Sequence, residues 1–247
     1  EGEPKELTRK SLPTVLRPDV PILPEMLPGY SSAAFIGVWS AALPLRGRFG
    51  EEHLMRKDAP KLVLAASKWM RAQEGPFFCW VHLGDAHDPL DPPRHLRDIF
   101  GPVDHRAARR WEFTGRDDDL TTTAFERYRE DRIRLYDACV RGADEAIETL
   151  WQGLAPATRD RTIVTVTSDH GEEMWEHRDE ELAGFTDPRG VAGAGHGHNL
   201  FQVHLLVPLL IVGPGITPSA VDANTSSVDL APTVLEAAGI ELPAVMD

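Results

Sequence analysis

Apolar residues in this chain fall into runs that alternate between the period of a helix and that of a buried strand. The clearest helix is predicted over 122–151, where apolar side chains recur every three or four positions. A second helix is predicted over 58–73. A third is predicted over 229–238, and Gly239 directly after it is typical of a helix end.

Continuous apolar runs bounded by glycine or other breakers predict buried strands at 76–83, 162–167 and 207–212. A shorter strand is predicted within 30–38. Strands and helices alternate along the chain, which is typical of an α/β fold with a mostly parallel central sheet between layers of helices. We therefore expect a three-layer sandwich.

We expect residues 1–247 to form a single domain that is truncated at both ends. The chain begins at Glu1 and stops at Asp247 without a closing helix or strand. Within this domain, 1–28 is expected to be an extended Pro-rich segment. The mixed charged and Gly/Pro-containing stretch 101–121 is expected to be an irregular surface insertion.

The charge balance limits the possible partners. The 26 basic and 39 acidic residues give a formal net charge of −13, which argues against nucleic-acid binding. An anionic substrate would require a metal or local Arg and His residues to reverse the field in its pocket. No apolar stretch reaches the length of a membrane span, and no signal peptide is recognisable, so the sequence leaves the cellular location open.

The two cysteines, Cys79 and Cys139, fit neither a metal-ligand spacing nor a disulfide framework. Both lie in apolar patterns, so we interpret them as small core residues.

The most informative motif is 168–171, in which Asp169, His170 and Gly171 follow directly after a predicted strand. In open α/β sheets the ligand crevice lies outside the carboxyl ends of the strands. A carboxylate oxygen and an imidazole nitrogen at this position predict metal ligation by Asp169 and His170. The alternative is an aspartate that caps a helix and a histidine that bonds to backbone. We expect Gly171 to permit a sharp turn.

Three further histidines are candidates for contact with an anion. His87 follows the strand predicted at 76–83; because parallel strands end at the same edge of a sheet, we expect it to converge with Asp169. There it could donate to an anionic oxygen or protonate a leaving group. His196 and His198 could bind a metal or flank an anion. The alternative for all three is an ordinary surface loop.

The remaining polar residues near this motif are not expected to be ligands. Glu172, Glu173 and Glu176 are interpreted as a solvated helix face, and His204 as a structural histidine. The sequence contains no Gly-x-Ser-x-Gly elbow, no P-loop and no Gly-x-Gly-x-x-Gly fingerprint, so it offers no obvious activated nucleophile.

Taken in order, these motifs resemble the sulfatase family of the alkaline-phosphatase-like superfamily. Each motif is weak alone, but the ordered set spans nearly the whole chain. The matching segments are 76–93, 136–144 on the long helix, 165–177, 196–201, 207–215 and 227–240.

The resemblance implies an alkaline-phosphatase-like fold and a role for each candidate. Asp169 and His170 would bind a divalent metal, usually Ca²⁺ in sulfatases; Mn²⁺ and Zn²⁺ are alternatives because imidazole is a softer ligand than calcium prefers. His87 would contact the sulfate or the leaving oxygen. Either His198 or His196 would take the anion-binding role that a lysine has in other members.

The resemblance also implies parts that these residues do not contain. Family members carry a pair of aspartate ligands and a Cys/Ser-x-Pro-x-Arg segment, whose first residue matures to the nucleophile formylglycine. We expect both in a missing N-terminal part, and we expect the chain alone to be an incomplete, inactive fragment.

The implied function is metal-dependent hydrolysis of a small anionic sulfate ester. One alternative is a phosphodiesterase, phosphonate hydrolase or phosphoglycerol transferase of the same superfamily. Another is a non-catalytic remnant. The upstream coding sequence distinguishes these possibilities: Cys or Ser before Pro and Arg supports a sulfatase, a lone Thr supports phosphoryl transfer, and a start codon at this point supports a remnant.

Overall fold

A computed structural model of the chain describes the backbone of Phe35–Ser40 and all of residues 59–184 and 187–242. Contacts divide the chain into two compact units, which are described separately below. The first contains the described residues up to Arg110 together with Arg127–Ala155. The second contains Trp111–Glu126 and the described residues from Pro156 onward. The segment predicted to be extended, 1–28, lies outside the described residues, and the single domain stays a prediction.

The first unit contains a β–α–β arrangement. Strand β1 (Phe35–Ser40) and strand β2 (Phe77–His82) pair in parallel, with Gly37 opposite Cys79. Helix α1 (Ala59–Arg71) connects them, as expected for parallel neighbours, which need a crossover connection. The helix predicted over 58–73 is therefore confirmed to within two residues.

The core of the first unit forms where α1 packs near the end of the long helix α3 (Thr123–Gln152). Met70 of α1 and Leu154, just after α3, belong to one buried cluster, and Val63 of α1 and Ala146 of α3 belong to another. Cys79 of β2 packs against the first of these clusters, and burial raises the pKa of its thiol to about 12. Both cysteines are free and lie in core clusters, as predicted.

A buried ion pair fixes the loop that follows β2. Arg132 of α3 is only 1% exposed, and its Nη2 lies 2.5 Å from Asp88 Oδ2. Its Nη1 donates to the carbonyl oxygen of Ala108 at 3.1 Å, at the end of the short helix α2 (His105–Ala108). The guanidinium therefore joins α3 both to the irregular segment and to the loop that carries His87.

The second unit contains two antiparallel strand pairs. Strand β3 (Val164–Thr167) pairs with β6 (Leu209–Val212), and β4 (Glu173–Met174) pairs with β5 (Ala194–Gly195). The helices of this unit are α4 (Pro156–Arg159), α5 (Arg178–Gly184), α6 (Gln202–Leu205) and α7 (Leu230–Ala237). Short 3-10 turns occur at Arg94–Leu96 in the first unit and at Ser227–Asp229 in the second.

Three aromatic rings of the second unit pack against one another. Trp175 packs edge-on against Phe125, and Phe125 packs edge-on against Phe113, with ring centroids 5.5 Å apart in both pairs. The indole Nε1 of Trp175 donates to the Phe113 carbonyl oxygen at 2.8 Å, so its polar atom has a partner inside the cluster.

The observed elements confirm the α/β class only at a coarse level. The described strands form three two-stranded sheets, one parallel and two antiparallel. The mostly parallel central sheet of a three-layer sandwich therefore stays a prediction.

The burial predicted for the strand at 207–212 is wrong in the described part of the chain. Leu209, Leu210 and Val212 are 42–55% exposed. Within the described residues β6 pairs with β3 alone, and the packing there leaves these apolar side chains accessible to solvent.

Sequence periodicity located the other helices well. The helix predicted over 122–151 is α3, and the one predicted over 229–238 is α7, which ends at Ala237; Gly239, just beyond the cap, has φ +70°. Of the described helices, none combines the length and the apolar character that a membrane-spanning helix needs.

Replacing Arg132 by Met should lower the free energy of unfolding by about 3–5 kcal/mol, because it leaves the carboxylate of Asp88 buried without its partner. Urea unfolding followed by circular dichroism measures this loss. The control is Arg97→Met, which breaks the exposed pair with Asp91 and should cost about 1 kcal/mol or less. Equal losses in the two variants would contradict a structural role for the buried pair.

Candidate functional site

The tip of strand β3 presents Asp169 and His170 side by side. The backbone N–H of His170 donates to Asp169 Oδ1 at 3.1 Å. His170 Nδ1 lies 2.8 Å from the Gly171 carbonyl oxygen, so Nδ1 carries a proton and the lone pair of the neutral ring is on Nε2. That Nε2 lies 3.8 Å from Asp169 Oδ2.

This pair fits a divalent cation. Metal bonds to carboxylate oxygen and imidazole nitrogen are about 2.0–2.5 Å long, so two donor atoms 3.8 Å apart can share one ion. A backbone carbonyl that orients the other imidazole nitrogen is the usual companion of a ligating histidine. Both side chains are also partly open to solvent.

Gly171 is required for a different reason from the one predicted. A Cβ on this residue would overlap the carbonyl oxygen of Val203. Its N–H donates to the carbonyl oxygen of His204 at 2.8 Å. Close approach of the 203–204 backbone, rather than a left-handed turn, therefore selects glycine here.

His196 lies against the metal-ligand candidate. Its ring stacks on that of His170, with centroids 3.9 Å apart. Its Nδ1 lies 3.1 Å from Glu172 Oε2, and this hydrogen bond is the main cause of a raised pKa at His196. The charge of Asp169 adds to the rise, whereas partial burial and the charge of Arg189 oppose it.

His198 has quite different surroundings, although only Gly197 separates it from His196. Its side chain is 1% exposed, and its Nε2 lies 2.6 Å from Glu181 Oε1. This contact lacks the alignment of a hydrogen bond. Its Nδ1 lies 3.3 Å from Arg189 Nη2.

Arg189 connects the two histidines through its other contacts. Its guanidinium pairs with Asp187 at 2.7 Å and donates to the His196 carbonyl oxygen at 3.2 Å. The hydrogen bond from Arg189 lowers the pKa of Asp187 to about 2.

His87 belongs to the first unit, whereas the other four predicted site residues belong to the second. Its Nδ1 lies 2.7 Å from the Asp88 carbonyl oxygen, in the loop held by Arg132. The expected convergence of His87 with Asp169 therefore stays a prediction.

The prediction that the glutamates form a solvated face is wrong for two of them. Glu173 is 0% exposed, and the Glu172 side chain is largely covered. Glu173 also offers a carboxylate oxygen within 4.8 Å of ring nitrogens of His198 and His204. Sequence reasoning missed this cluster; the one available signal was the apolar pair Met174–Trp175 directly after Glu173, which is typical of a buried segment.

Comparison of the sequence with models of protein families shows which family the chain belongs to. The family model named Sulfatase matches residues 45–240. The chain belongs to the sulfatase family.

Relatives with curated names match shorter stretches of this sulfatase chain. Arylsulfatase K of Xenopus laevis is 40% identical over 84 residues, which is 34% of this chain and 13% of the relative. Choline-sulfatase of Rhizobium meliloti (strain 1021) is 32% identical over 113 residues, or 45% of this chain and 19% of the relative. The sulfatase YidJ of Escherichia coli (strain K12) is 32% identical over 112 residues, with 45% and 20% covered.

The matched stretch thus spans a fifth or less of the length of each of these relatives. Among solved structures, that of Ps i-CgsB in complex with k-i-k-neocarrahexaose superposes on 80% of this chain and 37% of its own. The TM-score is 0.47 and the sequence identity is 17%. A likeness at this level carries no weight for function.

Replacing Glu172 by Gln should lower the pKa of His196, because the pKa is raised mainly by the carboxylate of Glu172. An NMR titration of the His196 imidazole protons, carried out in the presence of EDTA, measures this pKa.

The raised pKa also predicts how stability depends on pH. The pair of His196 with Glu172 stabilises the fold fully below pH 6.5, the ordinary histidine value, and this contribution is lost as pH rises through the pKa of the folded state. The stability difference between the two proteins should therefore be larger at pH 5.5 than at pH 8.5. Glu180→Gln, at an exposed glutamate, serves as the control; a matching shift in that variant would refute the assignment.

Proposed function

We propose that the protein containing this chain hydrolyses small anionic sulfate esters in a metal-dependent reaction, with Asp169 and His170 as two of the metal ligands. The observation that supports this most is the donor pair at the tip of β3, with oxygen and nitrogen 3.8 Å apart, beside a stacked histidine of raised pKa. Membership of the sulfatase family supports the reaction class.

Asp169 and His170 supply only part of a coordination shell, so further ligands would come from other residues. A bound divalent cation would polarise the sulfate oxygens and offset negative charge in the transition state. Calcium is our first choice of ion, with Mn²⁺ and Zn²⁺ as alternatives. The imidazole nitrogen of His170 is the feature that favours these alternatives.

We assign anion contact first to His196. It lies against the proposed metal ligand His170, and its ring is partly exposed. The neighbouring carboxylate of Glu172 favours its protonated form, which can donate to a sulfate oxygen. His198, the other candidate that the resemblance implied for this role, is not assigned it here, because its side chain is 1% exposed and lies against Glu181.

His87 is proposed to protonate the leaving oxygen or to hydrogen-bond to the sulfate. Its Nδ1 lies 2.7 Å from the carbonyl oxygen of Asp88, which fixes the ring within this loop, and an imidazole can both donate and accept a proton near neutral pH. The buried pair of Asp88 with Arg132 would hold the loop in place during the reaction.

The nucleophile is proposed to be a formylglycine from residues outside these 247, because the printed sequence contains no Cys/Ser-x-Pro-x-Arg segment. The proposal also includes an alkaline-phosphatase-like sandwich in which the parallel pair β1–β2 belongs to a mostly parallel central sheet.

A phosphate or phosphonate ester hydrolase of the same superfamily is the second candidate, because the nitrogen ligand of His170 suits manganese or zinc better than calcium. The upstream coding sequence separates the two. Cys or Ser before Pro and Arg supports the sulfatase, whereas a lone Thr supports phosphoryl transfer.

Titration of the chain with Mn²⁺ should show binding that depends on Asp169 and His170. Asp169→Asn and His170→Ala should each weaken it by about tenfold or more, because each removes a ligand. Isothermal titration calorimetry measures the affinity. Asp144→Asn is a matched control, since Asp144 is 65% exposed and Asp169 is 66% exposed. Binding that survives both ligand variants would place the metal elsewhere.

The isolated chain should not hydrolyse 4-nitrophenyl sulfate above a heat-killed control, because its residues contain no formylglycine segment. In the protein expressed with its upstream coding sequence, His196→Gln should lower kcat/KM for the sulfate ester by about 10²-fold or more. A parallel assay with 4-nitrophenyl phosphate measures the preference for sulfur over phosphorus. Turnover by the isolated chain, or a preference for phosphate, would overturn the assignment.

A further inference from the structure

We infer that Glu173 and Glu181 are positioning residues, which hold the loop 193–199 so that His196 lies against His170, and that His198 belongs to this buried arrangement rather than to the anion site. We call these two glutamates together with His198 and Asn199 the carboxylate clamp. That this arrangement serves catalysis rests on the proposed function.

Glu181 holds both ends of the loop. It lies on α5 and is almost completely buried. Its Oε2 accepts a hydrogen bond from the backbone N–H of Gly193, and its Oε1 accepts one from the side-chain amide of Asn199. His196 is therefore carried on a segment whose first and last residues are attached to the same carboxylate.

Glu173 fixes the loop from the side of strand β4. Its Oε2 accepts from Asn199 Nδ2 at 3.0 Å, and its Oε1 accepts from the His177 backbone N–H at 2.9 Å. Asn199 Oδ1 accepts from the backbone N–H of Phe201 at 3.0 Å, which orients the amide so that Nδ2 faces both carboxylates. In the strand pairing, Glu173 is also opposite Gly195, directly before His196.

The surroundings of His198 indicate a place in the clamp. Because arginine only donates, the contact with Arg189 makes His198 Nδ1 an acceptor and leaves the proton on Nε2. That Nε2 lies 2.6 Å from Glu181 Oε1 without the alignment of a hydrogen bond, so burial and the contact with Arg189 define the place of His198 in the clamp. The side chain is 1% exposed, so an ester could reach it only if the loop opened.

A metal ion is the competing explanation for this cluster, because Glu173, His198 and His204 offer ligand atoms within 4.8 Å of one another. The hydrogen bonds argue against it. Each of the four carboxylate oxygens of Glu173 and Glu181 already accepts a bond from a backbone or amide N–H. His204 Nε2 lies 3.0 Å from the carbonyl oxygen of Gly195, where it is placed to donate. A cation would have to displace several of these donors.

Two glycines restrict the loop to the path that the clamp requires. Gly193 and Gly195 have φ of +81° and +93°, the left-handed region that favours glycine. A Cβ on Gly193 would lie 2.7 Å from Arg178 Cβ, and one on Gly195 would lie 2.9 Å from Trp111 Cη2. The backbone on the amino-terminal side of His196 is therefore closely packed.

The first test uses NMR of the 247-residue chain. Stacking shifts the ring protons of His170 and His196 upfield, and these shifts report whether the loop is in place. Glu181→Ala should abolish them, Glu181→Gln should reduce them, and the exposed control Glu180→Ala should leave them unchanged. His198→Gln, which fills more of the buried space beside Glu181 than alanine does, should retain more of the shifts than His198→Ala. Unchanged shifts in both Glu181 variants would overturn the inference.

The second test separates the clamp from a metal site. Paramagnetic Mn²⁺ added in small steps should broaden the ring signals of His170 and His196 first. If the signals of His198 and His204 broaden at lower metal concentration, the cluster is a metal site and the inference fails.

The third test uses the protein expressed with its upstream coding sequence. His198→Gln should retain kcat and KM within about threefold, whereas His196→Gln loses kcat. Equal losses in the two variants would make His198 a substrate contact and overturn the inference. A protein with no sulfatase activity would refute the proposed function alone, because the two NMR tests need no turnover.

Discussion

A buried carboxylate must be supplied with hydrogen-bond donors, and this requirement organises the candidate site. Glu173 and Glu181 are withdrawn from solvent, and their donors come from Gly193, His177 and Asn199. Satisfying the two glutamates therefore sets the path of the segment that carries His196. The stacking of His196 on His170 depends on two side chains that have no direct part in the proposed chemistry.

The elements that sequence reasoning located well are those whose pattern is local. The 3.6-residue periodicity of α3 reports burial along one face of a single helix, and Gly239 marks a helix end by its own backbone conformation. Asp169 and His170 were singled out because they directly follow a strand, and their role as metal ligands stays a prediction. Glu173 was assigned to the solvent because a glutamate gives no sign of the distant amides that will surround it.

The apolar run of β6 shows the opposite error. Its residues suggested a strand covered on both faces, yet in the described part of the chain Leu209, Leu210 and Val212 are 42–55% exposed. Hydrophobicity specifies that a strand tends to be buried but does not specify what covers it. The choice between His196 and His198 was open for a similar reason, since both lie in one glycine-rich loop and only tertiary contacts distinguish them.

The acidic composition of the chain is compatible with an anionic substrate when the placement of the acids is considered. The carboxylate of Glu172 lies behind the ring of His196 and raises the pKa of that histidine. Arg189 is paired with Asp187, so much of its charge is already balanced near the loop. A carboxylate that accepts from one imidazole nitrogen favours the protonated ring, whose other nitrogen can then donate to an anion. A net charge of −13 thus gives little information about the sign of the local electrostatic field at the site. That sign depends on how the acidic and basic groups around His196 are placed and paired.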